Sequence, residues 1–293
     1  MANSLWAQRG FPFSKPFQEL LRSDYSTSLN EIDLTGWPKE FNPSIAAAAR
    51  KQINDWVAER TRNKITEMLP PRLPDPETLL ILVNGVSFKG TWVTKFDKAK
   101  TTDSRFHPGP SEKVSVPTMH SKGHFRYGGT ETLQVLELPY VSNRFSIIIL
   151  LPAEHQKLAD IEKTLNPALI EQLRQKCENQ EVDICLPRFK LGSDFDLKEP
   201  LQVMGMEHVF DEGADFSGIT LEKPFFIEDA LHKASVDVDE AGTEAAAATV
   251  VSFAKGGSAL FNADHPFLFL IRHNPTGAIL FLGRVANPLS NGQ

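Results

Sequence analysis

Apolar positions along this chain switch repeatedly between a period of two and a period near 3.6, so strands and helices are interspersed along its length. Residues 1–9 alternate around Leu5 and Trp6 and predict a strand, and a second is expected over 28–34. Between them Ser14 holds the place of an N-cap, Pro16 falls in the first turn, and Phe17, Leu20 and Leu21 share one face of a short helix. The longest helical pattern opens at Pro43, where Ile45, Ala49, Ile53, Trp56 and Val57 keep helical spacing to about Ala58 and are expected to face a sheet. Residues 70–77, with four prolines, read as a rigid surface connection. The run 78–88 (TLLILVNGVSF) is nearly continuously apolar and predicts a central strand buried on both faces. Residues 106–127 read as shorter strands and turns, and 133–139 with 145–151 as a hairpin. Two helices follow over 155–179, the second restarted by Pro167, then a strand at 182–189 and a helix at 196–206. Residues 231–239 alternate again, and 266–273 with 278–285 form a last hairpin around Asn274-Pro-Thr-Gly277. No internal repeat and no linker divides the chain, so one α+β domain over 1–293 is expected.

One stretch departs from this texture. Residues 236–258 (VDVDEAGTEAAAATVVSFAKGGS) change composition twice. The EAAAA block favours a helix on propensity but is too short to stand alone, and Thr249, Val250, Val251 and Phe253 after it favour strands. Read with period two, one face carries Thr243, Ala245, Ala247, Thr249 and Val251, small throughout, and the other carries Glu244, Ala246, Ala248 and Val250. Such a strip suits a flexible Ala/Gly loop, and it equally suits a segment exposed in one state and a sheet strand in another.

Composition narrows the function classes. The 41% hydrophobic content fits a soluble globular protein, and the net charge of -6 argues against a general polyanion or nucleic-acid binder. Arg60, Arg62 and Lys64, and Lys95, Lys98 and Lys100, read as solvated faces. No stretch has the apolar length of a membrane span, and the start lacks the pattern of a signal peptide. Asn42 and Asn274 are each followed by proline, and no glycosylation sequon remains, so a cytoplasmic location is compatible with the sequence. The two cysteines, Cys177 and Cys185, read as separate packed thiols. His120 and His124 lie four apart, but Gly123 and the strand-like surroundings argue against a helical metal site, so no metal and no cofactor is expected. The chain has no GxSxG, Walker loop, GxGxxG or HExxH, and nothing points to an enzyme.

The segment from Glu240 to Thr249 (EAGTEAAAAT) resembles the reactive-loop hinge of the serpins, the serine protease inhibitors, and the segment from Phe261 to Ile271 (FNADHPFLFLI) is similar to the signature that follows their reactive loop. The stretch from Leu82 to Trp92 resembles the third strand of the serpin main sheet, in which Gly85 and Ser87 replace residues larger in many relatives and would loosen local packing. This resemblance implies a serpin-like α+β fold, with mixed β-sheets, surrounding helices and a mobile reactive loop at about 240–260. The start of the sequence matches a part of the fold normally preceded by several helices, which implies an N-terminally shortened member and no heparin activation through the basic helix. The function implied is inhibition as a suicide substrate. A trypsin-like protease cleaves the loop, and the hinge (Glu240, Gly242, Thr243, Glu244, Ala245, Ala246, Ala247, Ala248, Thr249) enters the main sheet. Counting by family spacing forward from Glu240 reaches Gly256 and back from Pro266 reaches Lys255; the reactive bond is expected at Lys255-Gly256, because lysine suits an acidic specificity pocket. Asn84, Trp92, Arg188 and His232 take sheet-opening positions, with Glu240 expected to pair with Arg188 and His232 to bond near Asn84. The partner implied is a serine protease, met by a monomer, and the family is typically extracellular. The alternatives are a non-inhibitory serpin acting as a binding or chaperone module, or a plain protease substrate.

Overall fold

The structure is a computed structural model and describes residues 2–25, 27, 29–153, 158–222, 225–227, 229–242 and 258–290. The chain divides into two compact units, Met1–Phe88 with Gly192–Ser235 and Lys89–Leu191 with Val236–Gly292.

The first unit is built on a sheet that has five strands among the described residues, β1 (Ala2–Gln8), β2 (Leu29–Ile32), β3 (Leu80–Phe88), β9 (Phe189–Asp196) and β10 (Leu231–Val238), in the order β2-β1-β3-β10-β9. β1 runs parallel to β2 and antiparallel to β3, with Asn3 opposite Asn84 and Trp6 opposite Ile81. One face of this sheet is covered by α2 (Pro43–Arg60), whose Ala49, Ile53 and Val57 pack with Ala2, Trp6, Ile81 and Val83. Ile53 and Val57 are fully buried, and together they contribute about 4 kcal/mol of burial free energy. The helix starts where Asn42 Oδ1 accepts from the amides of Ser44 and Ile45, with Pro43 at its first position. At its end Thr61 Oγ1 donates to Val57 O and accepts from Ile65 N. α1 (Lys15–Ser23) is capped by Ser14 Oγ, which accepts from Phe17 N.

One expectation changes here. β3 is not buried on both faces: Ile81 and Val83 are in the core, but Leu82 is 67% exposed, so the apolar run marks a strand with one covered side. At Gly85 a Cβ would meet Ile65, Ala2 and Val57 at 3.4–3.6 Å, ordinary contact distance, so there is room for a methyl that the glycine leaves unfilled.

The second unit holds a sheet of eight described strands: β4 (Thr102–Gly109), β5 (Glu112–Thr130), β6 (Leu133–Pro139), β7 (Phe145–Pro152), β8 (Glu178–Pro187), β11 (Ala259–Asn262), β12 (Phe267–His273) and β13 (Ile279–Val285). The order is β11-β8-β5-β6-β7-β12-β13, with β4 beside β5. Residues 147–151 are all buried, as are 267–271 opposite them, and α3 (Leu158–Thr164) and α4 (Pro167–Gln175) add Ile161, Ile170 and Leu173 to this core. The expected short strands and turns over 106–127 are the end of β4 and one 19-residue strand, β5. Its glycines are not breaks but places of close approach: a Cβ on Gly128 would lie 2.6 Å from Lys176 O, and one on Gly129, at φ +133, 2.0 Å from Leu133 O. The helix expected at 196–206 is the shorter α5 (Lys198–Val203). No helix among the described residues is long and apolar enough to cross a membrane.

Candidate functional site

The residues singled out by the sequence fall into two clusters, one in each unit. In the second unit the chain leaves β10 at Val238 and makes a tight turn. Ala241 N donates to Asp239 Oδ1 at 2.9 Å and Gly242 N to Asp239 O at 3.2 Å. Gly242 has φ +72, a left-handed conformation that disfavours any side chain. A Cβ on it would stand 2.4 Å from Trp92 N and 2.6 Å from Gly90 O, so the backbone of residues 90–92 lies directly against it.

Trp92 closes the turn from the other side. It is 2% exposed, its Nε1 donates to Asp239 O at 2.8 Å, and its backbone amide donates to Ala241 O at 3.2 Å. Its ring stacks on Tyr140 with centroids 4.4 Å apart and planes 15° from parallel. Burial pushes the Tyr140 phenol far above its ordinary range.

Glu240, 1% exposed, points into the same cluster. Arg188 Nε donates to its Oε1 at 2.6 Å, Arg188 Nη2 and Thr101 Oγ1 also contact that oxygen, and Phe96 N donates to its carbonyl at 3.0 Å. The guanidinium is 41% exposed while the carboxylate is buried, so the pair is asymmetric in its solvation. Burial works against the charged carboxylate, but the hydrogen bonds from Thr101 and Arg188 and the arginine's charge outweigh it and hold Glu240 below the ordinary carboxyl range. A depressed folded-state value contributes stability that is fully present above the unfolded pKa of about 4.3 and is lost as pH falls through the folded value. Glu240→Gln is therefore expected to destabilise the protein at pH 7, and urea unfolding should show the gap to the parent closing below about pH 4. An equal gap at pH 7 and pH 3 would mean that the carboxylate charge is not what the cluster uses.

In the first unit, Asn84 of β3 joins β1 to β10. Its Nδ2 donates to Asn3 Oδ1 at 2.8 Å, which leaves its Oδ1 to accept from His232 Nδ1 at 2.6 Å. Phe195 stacks over the His232 ring, with planes 14° apart, and Lys233 beside it pairs with Asp194 at 2.5 Å. Asn3 and Asn84 are register partners, which is why two short amides reach each other.

Thr243, Glu244, Ala245, Ala246, Ala247, Ala248 and Thr249, together with Lys255 and Gly256, lie outside the described residues. His120 lies on β5 beside Cys185, and among the described residues no group of three or more His, Cys, Asp or Glu side chains is gathered as a metal cage. Cys177 and Cys185 are free thiols. Sequence reasoning missed Thr101, Tyr140 and Asn3, each of which completes a cluster from a position distant in sequence. For Asn3, its position across from Asn84 in a β1–β3 pair was the available signal.

A family profile described as Serpin (serine protease inhibitor) matches residues 1–288. The chain belongs to the serpin family. Serpin B3 of Homo sapiens is 36% identical over 98% of this chain and 74% of its own length. A leukocyte elastase inhibitor of Xenopus laevis is 39% identical over 98% of this chain and 77% of its own. Antithrombin-III of Ovis aries is 35% identical over 99% and 62%. The family's description is of inhibitors rather than catalysts. In this serpin the pinned turn at 239–242 immediately precedes the small-residue segment from Thr243, and β11 follows it.

Proposed function

We propose that this serpin is a single functional domain, a monomeric suicide-substrate inhibitor of a trypsin-like serine protease. The protease attacks the bond between Lys255 and Gly256 and becomes acylated by the lysine carbonyl. Lysine suits an acidic specificity pocket, whereas glycine on the other side offers such a pocket nothing. The freed segment beginning at Thr243 then enters the first unit's sheet as a new strand between β3 and β10, neighbours in the described sheet. Thr243, Ala245 and Ala247 are its inward positions, small enough to pass. Entry must part the Asn84–His232 bond, so those two residues hold the closed sheet, while Glu240 with Arg188 and Thr101 fixes the point from which the segment swings. The drive is the added strand hydrogen bonding and burial.

The observation that carries this reading is the small-residue hinge placed directly after an immobilised turn, in a chain of the serpin family. The relative named a leukocyte elastase inhibitor supports a protease as the target, and Lys255 supports the narrower specificity. The test is incubation with trypsin near equimolar ratio. An adduct that survives denaturing electrophoresis is expected, and Thr243→Arg, which places a long charge at the first inward position, should convert the protein to a cleaved substrate without adduct. Cleavage after Lys255 with no adduct in the parent protein would leave a plain substrate; no cleavage there would remove the assignment of Lys255.

A further inference from the structure

The outer face of the second unit's sheet carries a cluster that inhibition does not use. Register places His120 of β5 opposite Cys185 of β8, and Cys185 opposite Asn262 of β11. The residues beside them that point the other way, Met119, Ile184 and Phe261, are fully buried, so His120, Cys185 and Asn262 stand in a row on the outer face. Cys185 Sγ lies 3.3 Å from His120 Nδ1. The other ring nitrogen, Nε2, is 3.2 Å from Thr102 Oγ1, so a neutral imidazole that donates there presents its Nδ1 lone pair to the sulfur. Asn262 donates through Nδ2 to Asp264 Oδ2 at 2.9 Å, which leaves its carbonyl oxygen as an acceptor. Both Cys185 and His120 are half-buried and within reach of solvent.

A thiol beside an imidazole suits either of two chemistries, a nucleophile with its base or a chelate for a soft cation. Asp183 and Asp264 act on Cys185 from nearby, and their negative charge disfavours a bare thiolate nucleophile. The same carboxylates favour a cation in place of the thiol proton. Bond lengths agree. A tetrahedral ion about 2.3 Å from sulfur and about 2.0 Å from nitrogen separates its two donor atoms by about 3.5 Å, so the observed pair needs to open by only about 0.2 Å.

We propose that His120 Nδ1 and Cys185 Sγ chelate one thiophilic divalent cation of the zinc class, with water completing its coordination. Binding exchanges the thiol proton, released to solvent, for the metal–sulfur bond, and Thr102 holds the imidazole tautomer as an outer partner. Two side-chain ligands instead of four predict an affinity well below that of a structural zinc site. Because Cys185 is paired with β11, the ion would sit on the strand that follows the reactive segment.

The test is a titration of the full chain with Co2+. A thiolate-to-cobalt charge-transfer band with the visible absorption of a four-coordinate ion is expected, saturating at one equivalent and displaced by Zn2+. Cys185→Ser should abolish the charge-transfer band, and His120→Gln should weaken binding at least tenfold. A second readout needs no variant: Zn2+ should slow maleimide alkylation of Cys185, mapped by mass spectrometry, at least tenfold. No band in the parent protein, a band that survives Cys185→Ser, or alkylation indifferent to Zn2+ would each overturn the site.

Discussion

Trp92→Ala is expected to lower the stability of the folded protein by about 3–5 kcal/mol, the range for emptying a buried aromatic site. Three losses combine. The indole is 2% exposed, so its removal leaves a cavity; its stack on Tyr140 disappears; and Asp239 O loses the Nε1–H donor at 2.8 Å. Trp92→Phe separates them, because phenylalanine keeps a ring against Tyr140 but offers no donor. It should cost about 1–2 kcal/mol, the worth of a buried carbonyl left without its partner plus a small volume loss. Urea unfolding of the two variants side by side reads the difference. A loss below 1 kcal/mol for alanine would mean that Trp92 is not the packing centre of the turn, and equal losses would assign its whole role to one hydrogen bond.

Gly242→Ala should cost about 3 kcal/mol, with Gly10→Ala as its internal control. Both glycines have positive φ, +72 and +78, so both variants carry the left-handed penalty of about 1–2 kcal/mol. They differ in what surrounds them. Nothing lies within 4 Å of a Cβ on Gly10, whereas on Gly242 it would press on the backbone of Trp92, Gly90 and Thr91 at 2.4–2.9 Å. Backbone cannot rotate away as a side chain can, so the turn itself must move, and the bonds that Ala241 and Trp92 donate to Asp239 move with it. Gly242→Ala should also impair adduct formation with trypsin if the turn fixes the start of the inserting segment. Equal destabilisation of the two variants by thermal melting would show that the close approach to residues 90–92 yields at no cost.

Much of the fold was legible because its pattern is local. The period of α2, with Asn42 and Pro43 at its start, and the alternating hairpin of β6 and β7 are written in consecutive residues. What was misread depended on partners. The run containing Leu82 has the composition of a strand covered twice, yet composition cannot say that only one face meets a helix. The stretch 106–127 reads as short strands and turns, and only its continuous pairing with β8 shows that most of it is one long strand. At the candidate site the paired charges Arg188 and Glu240 were reached through a motif resemblance, while Thr101, 139 positions from Glu240, left no local trace. A threonine that completes a carboxylate's hydrogen bonds looks like any other threonine until the chain brings it there.

The pairing of β11 with β8 has a further consequence, one of contour length. Fifteen residues lie between the pinned turn at Gly242 and Ser258, and the sixteen steps from one to the other reach at most about 58 Å. To lie beside the eight residues of β10, a strand of about 26 Å, and return to β11, it would need about 52 Å before any turn is made and before the separation of its two ends is spanned. On the proposed mechanism an uncut segment therefore has almost no reach to spare for full insertion while β11 stays in its sheet. Cutting the tether, or peeling β11 from β8, would supply slack, so on that mechanism the parallel strand after the loop limits how far an intact segment can enter.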